Sequence, residues 1–76
     1  MKATIWSSFQ LDPQSKVEWS KIYEGKYKEC LQYCKDHQSN ECWAQWTVYP
    51  KKCNKKHPMV SFWGGQKIRE YVYTGR

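Results

Sequence analysis

The hydrophobic period of this chain changes at Gly25, and that change constrains the fold more than any other feature. Before it, Ala3, Ile5, Ser7, Phe9 and Leu11 fall on one side and Thr4, Trp6, Ser8 and Gln10 on the other, the two-residue spacing of a strand over residues 2–11. Asp12-Pro13-Gln14-Ser15 carries turn chemistry, since Pro fixes its own φ and Asp bonds the backbone ahead of it, so a hairpin into a second strand, Val17 to Tyr23, follows. Val17, Trp19 and Tyr23 share a face there and Lys21 interrupts it, which suits an edge strand or a mixed face. After Gly25 the apolar positions are Tyr27, Cys30, Leu31 and Cys34, the i, i+3, i+4, i+7 stripe of one amphipathic helix of about three turns. No Ser, Thr, Asp or Asn precedes that helix, which leaves its first amides to Glu24, Gly25 or solvent, and Ser39 or Asn40 is placed to serve its last turn.

Beyond the helix the period returns to two. Trp43 to Tyr49 reads as a strand with Ala44, Trp46 and Val48 on one face and Trp43, Gln45, Thr47 and Tyr49 on the other, stopped by Pro50. Lys51-Lys52-Cys53-Asn54-Lys55-Lys56-His57 is a basic loop without periodicity. Met59 to Trp63, Gly64-Gly65 and Gln66 to Tyr73 form a strand, turn, strand pattern. The order β-β-α-β-β-β predicts an α+β fold, an antiparallel sheet of about five strands with a single helix packed on one face, as one compact domain over residues 1–76. The other face of the sheet is expected to lack a covering layer.

A chain of 76 residues buries only about 60% of the surface its unfolded form exposes, so every large side chain is wanted inside. Five Trp, six Tyr and two Phe are nevertheless more rings than one small core encloses, and they come with a formal charge of +6. Exposed rings beside cations make a binding surface for an anionic partner. Met1 to Leu11 alternates where a secretory signal would run apolar, and no stretch approaches the ~20 apolar residues of a membrane span, so the expected setting is cytoplasmic and away from the membrane.

Cys30, Cys34, Cys42 and Cys53, with His37 and His57, raise the question of zinc, but the spacing C-x3-C-x7-C-x10-C has no tight two-thiolate knuckle. Cys30 and Cys34 sit on the stripe that marks the core, where a thiol behaves as a small hydrophobe, and a disulfide between helix positions i and i+4 rarely reaches proper geometry. No cofactor is expected. No phosphate-binding loop, dinucleotide fingerprint or paired carboxylates stand out, and neither histidine has an orienting acid beside a nucleophile, so the chain reads as a non-enzymatic protein. A zinc-stabilised interaction module remains an alternative.

The basic loop is the most suggestive segment. Lys51, Lys52, Lys55 and Lys56 lie next to strands that carry Trp46, Tyr49, Trp63, Lys67, Arg69, Tyr71 and Tyr73, which places cations and rings in one part of the fold. The four loop lysines with Trp63, Lys67, Arg69, Tyr71 and Tyr73 are therefore the expected partner-binding surface. Such a surface tracks phosphates and stacks bases, or grips an acidic protein face through Trp, Tyr and Arg anchors. Both readings stay open from the residues alone.

The run Ile22-Tyr23-Glu24-Gly25-Lys26-Tyr27-Lys28-Glu29-Cys30-Leu31-Gln32-Tyr33-Cys34-Lys35-Asp36-His37, followed by Trp46-Thr47-Val48-Tyr49-Pro50, resembles the strand, Gly, helix, strand segment of short accessory proteins encoded by bacteriophages. It covers under half of the chain and has no catalytic signature. The resemblance implies a protein that works by binding, occupying or redirecting a host protein or nucleoprotein complex such as a defence system, nuclease or polymerase, in the host cell cytoplasm. Direct contact with DNA or RNA is the alternative, and no functional residue carries over.

Overall fold

The computed structural model describes residues 1–10, 12–38 and 44–72. Its elements follow the expected order: β1 (Lys2–Phe9), β2 (Glu18–Lys26), α1 (Tyr27–His37), β3 (Gln45–Pro50), β4 (Met59–Trp63) and β5 (Gln66–Tyr71). The five strands form one antiparallel sheet in the order β2-β1-β3-β4-β5, with α1 across β1, β2 and β3 on one face. Both β2 and β3 run antiparallel to β1, so they are parallel to each other and need a long connection to pass over β1. The helix is that connection. Leu11 and Trp43, expected as strand ends, lie outside the described residues, as do Ser39, Asn40, Cys42 and Tyr73.

Pairing register explains the core. Ile5 sits opposite both Tyr23 and Val48, Val48 opposite Val60, and Trp46 opposite both Ser7 and Phe62. Opposed residues point to the same side of a sheet, so these rows assemble one apolar face under Tyr27, Cys30 and Cys34 of the helix. Leu31, expected on the same buried stripe, is only partly covered, and Tyr33 flanks the stripe on the other side. Tyr33 stacks on Tyr23 with ring centroids 4.5 Å apart and lies 6.1 Å from Trp46, which fills the space above β2 and β1 with rings.

The helix ends are held by partners that local sequence does not announce. The first helical amide, of Tyr27, donates to the carbonyl of Met1 at 2.8 Å, and the Lys26 amide donates to Glu29 Oε1 at 3.3 Å. Those amides therefore use Met1 and Glu29, where local reading left them to Glu24, Gly25 or solvent. Gly25 sits in a tight place: a Cβ there would stand 3.0 Å from Tyr23 Cε2 and 3.2 Å from Glu29 Oε1, so those side-chain ends would have to give way. At the other end Gln38 is fully buried. Its Nε2 donates to the carbonyls of Phe62 (2.7 Å) and Ala44 (3.4 Å), and its Oε1 accepts from the Gly65 amide at 3.2 Å, which ties the helix end to the residue before β3, to β4 and to the β4–β5 turn.

Both edge strands carry one bulge, and the bulges decide which side chains share a face. In β2 the register slips opposite Ile5 and Trp6, so Lys21 pairs with Trp6 and Tyr23 with Ile5, leaving Ile22 as the extra residue. Trp19 and Lys21 thus point to the uncovered face while Tyr23 points to the helix. Simple alternation had put Trp19 and Tyr23 together. In β5 the slip lies opposite Ser61 and Phe62, so Lys67 pairs with Phe62 on the helix side and Arg69 with Ser61 on the uncovered side. Each bulge also brings residues three apart onto one side, where Lys21 meets Glu24 at 2.9 Å and Lys67 meets Glu70 at 3.1 Å. The charged residues along both edges discourage further strand addition. No helix among the described residues is long and apolar enough to cross a membrane.

Candidate functional site

The uncovered face is built in rows across the sheet. One row runs Glu24, Thr4, Tyr49, with Met59 and Tyr71 paired beyond it; the next runs Lys21, Trp6, Thr47, Ser61, Arg69; the third brings Trp19, Ser8 and Gln45 beside the Trp63–Gln66 pair. Trp19, Trp63 and Tyr71 are 56%, 50% and 39% exposed, values that core packing does not explain. Trp6, Trp19 and Tyr49, from three adjacent strands, line an almost wholly apolar open hollow of about 570 Å³. Burial and the nearby Tyr71 phenol hold the Tyr49 hydroxyl above its ordinary titration range, so the ring meets the hollow as a neutral phenol.

Beneath these rings the centre of the face is polar and closed. Thr47 and Ser61 are buried although no helix covers them, because Trp6, Tyr49, Gln45 and Met59 are their neighbours on the same face. Their hydroxyls bond each other at 3.0 Å, and Gln45 Nε2 donates to Ser61 Oγ at 3.5 Å. This pairing satisfies the hydroxyls internally and leaves the rings and the peripheral cations as the groups a partner meets. Lys2 and Lys51 border a smaller hollow next to Tyr49, and Lys26 pairs opposite Lys2. Arg69 lies at the far side of the face.

The opposite face carries a separate groove of about 380 Å³ between α1 and the β4–β5 hairpin. Tyr27, Leu31, Pro58, Val60 and Phe62 line it, with Lys35, Lys55, Lys56, Lys67 and Glu70 around them. The basic loop is locked against the helix here: the Tyr27 hydroxyl donates to the Pro58 carbonyl at 2.6 Å and its ring stands edge-on to His57 at 5.0 Å. Asn54 shapes the loop by accepting the amides of Lys56 and His57 at its Oδ1, both at 2.9 Å.

The expected partner-binding residues therefore occupy two faces. Lys51, Trp63, Arg69 and Tyr71 belong to the uncovered side, whereas Lys55, Lys56 and Lys67 border the helix-side groove. Lys52 is exposed and borders none of the three hollows described, and Tyr73 lies outside the described residues. Trp46, counted among the rings near the basic loop, is buried under the helix. Trp6 and Trp19 were missed as surface residues. For Trp6 the signal was present, since alternation put it opposite Ile5; for Trp19 the bulge at Ile22 hid it.

Cys30 and Cys34 are buried thiols. Cys30 Sγ donates to the Ala3 carbonyl at 3.5 Å, and burial pushes the Cys34 thiol up to about 12, far from a reactive thiolate. Cys53 is partly exposed and donates to the Tyr71 carbonyl at 3.7 Å, holding the loop to β5. Among the described residues no three His, Cys, Asp or Glu side chains converge as metal ligands. Comparisons with protein-family models, curated proteins and solved structures find no significant match to this chain.

Proposed function

We propose that this chain is a non-enzymatic binding protein that engages a host protein or nucleoprotein complex through the uncovered face of its sheet. One observation carries the reading: a small domain leaves Trp19, Trp63 and Tyr71 in solvent on the face that holds the Trp6–Trp19–Tyr49 hollow, while burying Trp46 and Phe62 on the other face of the sheet. Large exposed rings gathered on one face mark interaction sites, and Trp, Tyr and Arg are the residues that most often dominate an interface. Lys2, Lys51 and Arg69 at its border suit a partner of net negative charge and speed its approach. A bacterial host as the source of the target rests on the resemblance to phage accessory proteins alone, and the cytoplasm as the setting rests on the alternating N-terminal segment and the lack of a long apolar run.

The test compares the wild type with Trp19→Ala/Trp63→Ala/Tyr71→Ala as bait in nuclease-treated bacterial lysate. A defined partner retained by the wild type and lost by the triple variant supports the reading. If both baits return the same proteins, or neither returns any, the reading fails.

A second reading, direct binding of single-stranded nucleic acid, is favoured by the same rings standing among cations, since bases stack on exposed aromatics at about 1–3 kcal/mol each. Short oligonucleotides would then quench Trp fluorescence, with affinity falling steeply as salt rises. No quenching at low salt removes it.

A further inference from the structure

We propose that the helix-side groove is a second docking site, independent of the uncovered face, and that it takes an acidic protein segment bearing one apolar anchor residue. Charge is the first reason. Four lysines, Lys35 from α1, Lys55 and Lys56 from the loop and Lys67 from β5, border a single depression, and Glu70 is the one acid lining it among the described residues. Glu70 neutralises only Lys67, at 3.1 Å, and Lys35, Lys55 and Lys56 make no ion pair among the described residues. Three ammonium groups from two separate parts of the chain thus border one cavity with no carboxylate paired to them among the described residues.

The floor gives the second reason. Leu31 is partly exposed between Tyr27, Val60 and Phe62, which are themselves buried, so the groove offers an aliphatic seat for a single side chain. Nucleic acid suits this groove poorly. Bases need exposed ring faces, and the rings here are closed: Tyr27 is committed to Pro58 and His57, and Phe62 lies in the core. Exposed rings belong to the other side of the sheet. An apolar seat within a cationic rim matches a peptide whose carboxylates flank a leucine or similar residue.

The third reason is rigidity. Asn54 bonds the amides of Lys56 and His57, and Tyr27 anchors Pro58, so the loop presents Lys55 and Lys56 from a braced backbone. A braced loop loses less freedom on binding than a free one.

A short fluorescein-labelled peptide with acidic residues on both sides of one leucine provides the probe, read by anisotropy with the intact chain. It should bind at low salt and weaken as salt rises, and replacing its leucine by glycine should weaken it further. The charge reversal Lys35→Glu/Lys55→Glu/Lys56→Glu should lose at least about tenfold in affinity, as three partly exposed ion pairs sum to that order. Trp19→Ala/Trp63→Ala should leave binding unchanged, which separates this site from the one proposed above. Glu70→Gln frees Lys67 and should tighten binding, a gain that no folding defect imitates. The proposal is overturned by absence of binding at low salt, by equal loss in the Trp variant, by no gain in Glu70→Gln, or by a single-stranded oligonucleotide that displaces the peptide through the same lysines.

Discussion

The two faces of this sheet draw on the same strands and nearly the same residue types, yet they do opposite work. On the helix side, Trp46 and Phe62 are buried beneath Tyr27 of α1, and Tyr23 and Tyr33 stack beside them. On the other side, Trp19, Trp63 and Tyr71 stand in solvent. Neighbouring positions on one strand separate the two groups, as Phe62 and Trp63 show. An aromatic-rich composition therefore says little about binding until parity and bulges assign each ring to a face.

The comparison is broken most directly by truncating one ring from each side. Phe62→Ala should cost about 3–5 kcal/mol in urea unfolding, because it empties a fully enclosed site beneath the helix. A smaller cost, on the order of that for an exposed ring, would mean that the helix does not seal this face.

A second break concerns pH. Burial raises the Cys34 pKa from 9.0 to about 12, and it also raises the Tyr27 and Tyr49 phenols above 10.0. The folded state thus prefers the neutral forms, so the associated stability is complete below the unfolded values and is lost as pH climbs through the folded ones. The melting temperature should decline between about pH 9 and pH 12, and Cys34→Ala should flatten part of that decline. An unchanged slope in the variant would show that the thiol is not sealed in the core.

Gln38→Ala should cost about 1–3 kcal/mol, since it leaves the Phe62 carbonyl and the Gly65 amide without their partner. Hydrogen exchange at Gly65 should accelerate in the same variant. If neither changes, the hairpin is not tied to the helix end through this amide. Gly64→Ala should cost about 1–2 kcal/mol for its φ of +63°, with no steric part because a Cβ there meets nothing within 4 Å. Trp19→Ala closes the series with a change within about 0.5 kcal/mol, as for any exposed side chain, whatever it does to binding. A large loss would place Trp19 in the core and remove it from the contact surface.

Much of the fold was legible because it is written in local periods. The helix from Tyr27, the two-glycine turn at Gly64-Gly65 and the side of Trp46 and Val48 all follow from spacing, and both glycines adopt the positive φ that such a turn needs. The candidate surface was legible only in part. Lys67 and Arg69, two residues apart, belong on one face of a regular strand, and the bulge between them sends Lys67 to the groove. A bulge is set by how an edge strand fits its neighbour, which no two-residue pattern records. Leu31 fell short for a similar reason: its stripe position is right, but α1 lies over β1, β2 and β3, so Leu31 hangs at the margin. Leu31→Ala is accordingly expected to lose less than the fully buried Phe62.

The residue order alone determined that one helix must lie on an antiparallel sheet with a face to spare, because a single amphipathic stripe of about three turns can cover only one side of it. Tertiary structure decided how the cations and rings divide between the faces. That division depends on register slips at Ile22 and between Lys67 and Arg69, and on where the basic loop is pinned by Tyr27, Asn54 and Cys53. Those are long-range or pairwise matters, and the sequence that reads as one basic, aromatic surface folds into two distinct ones.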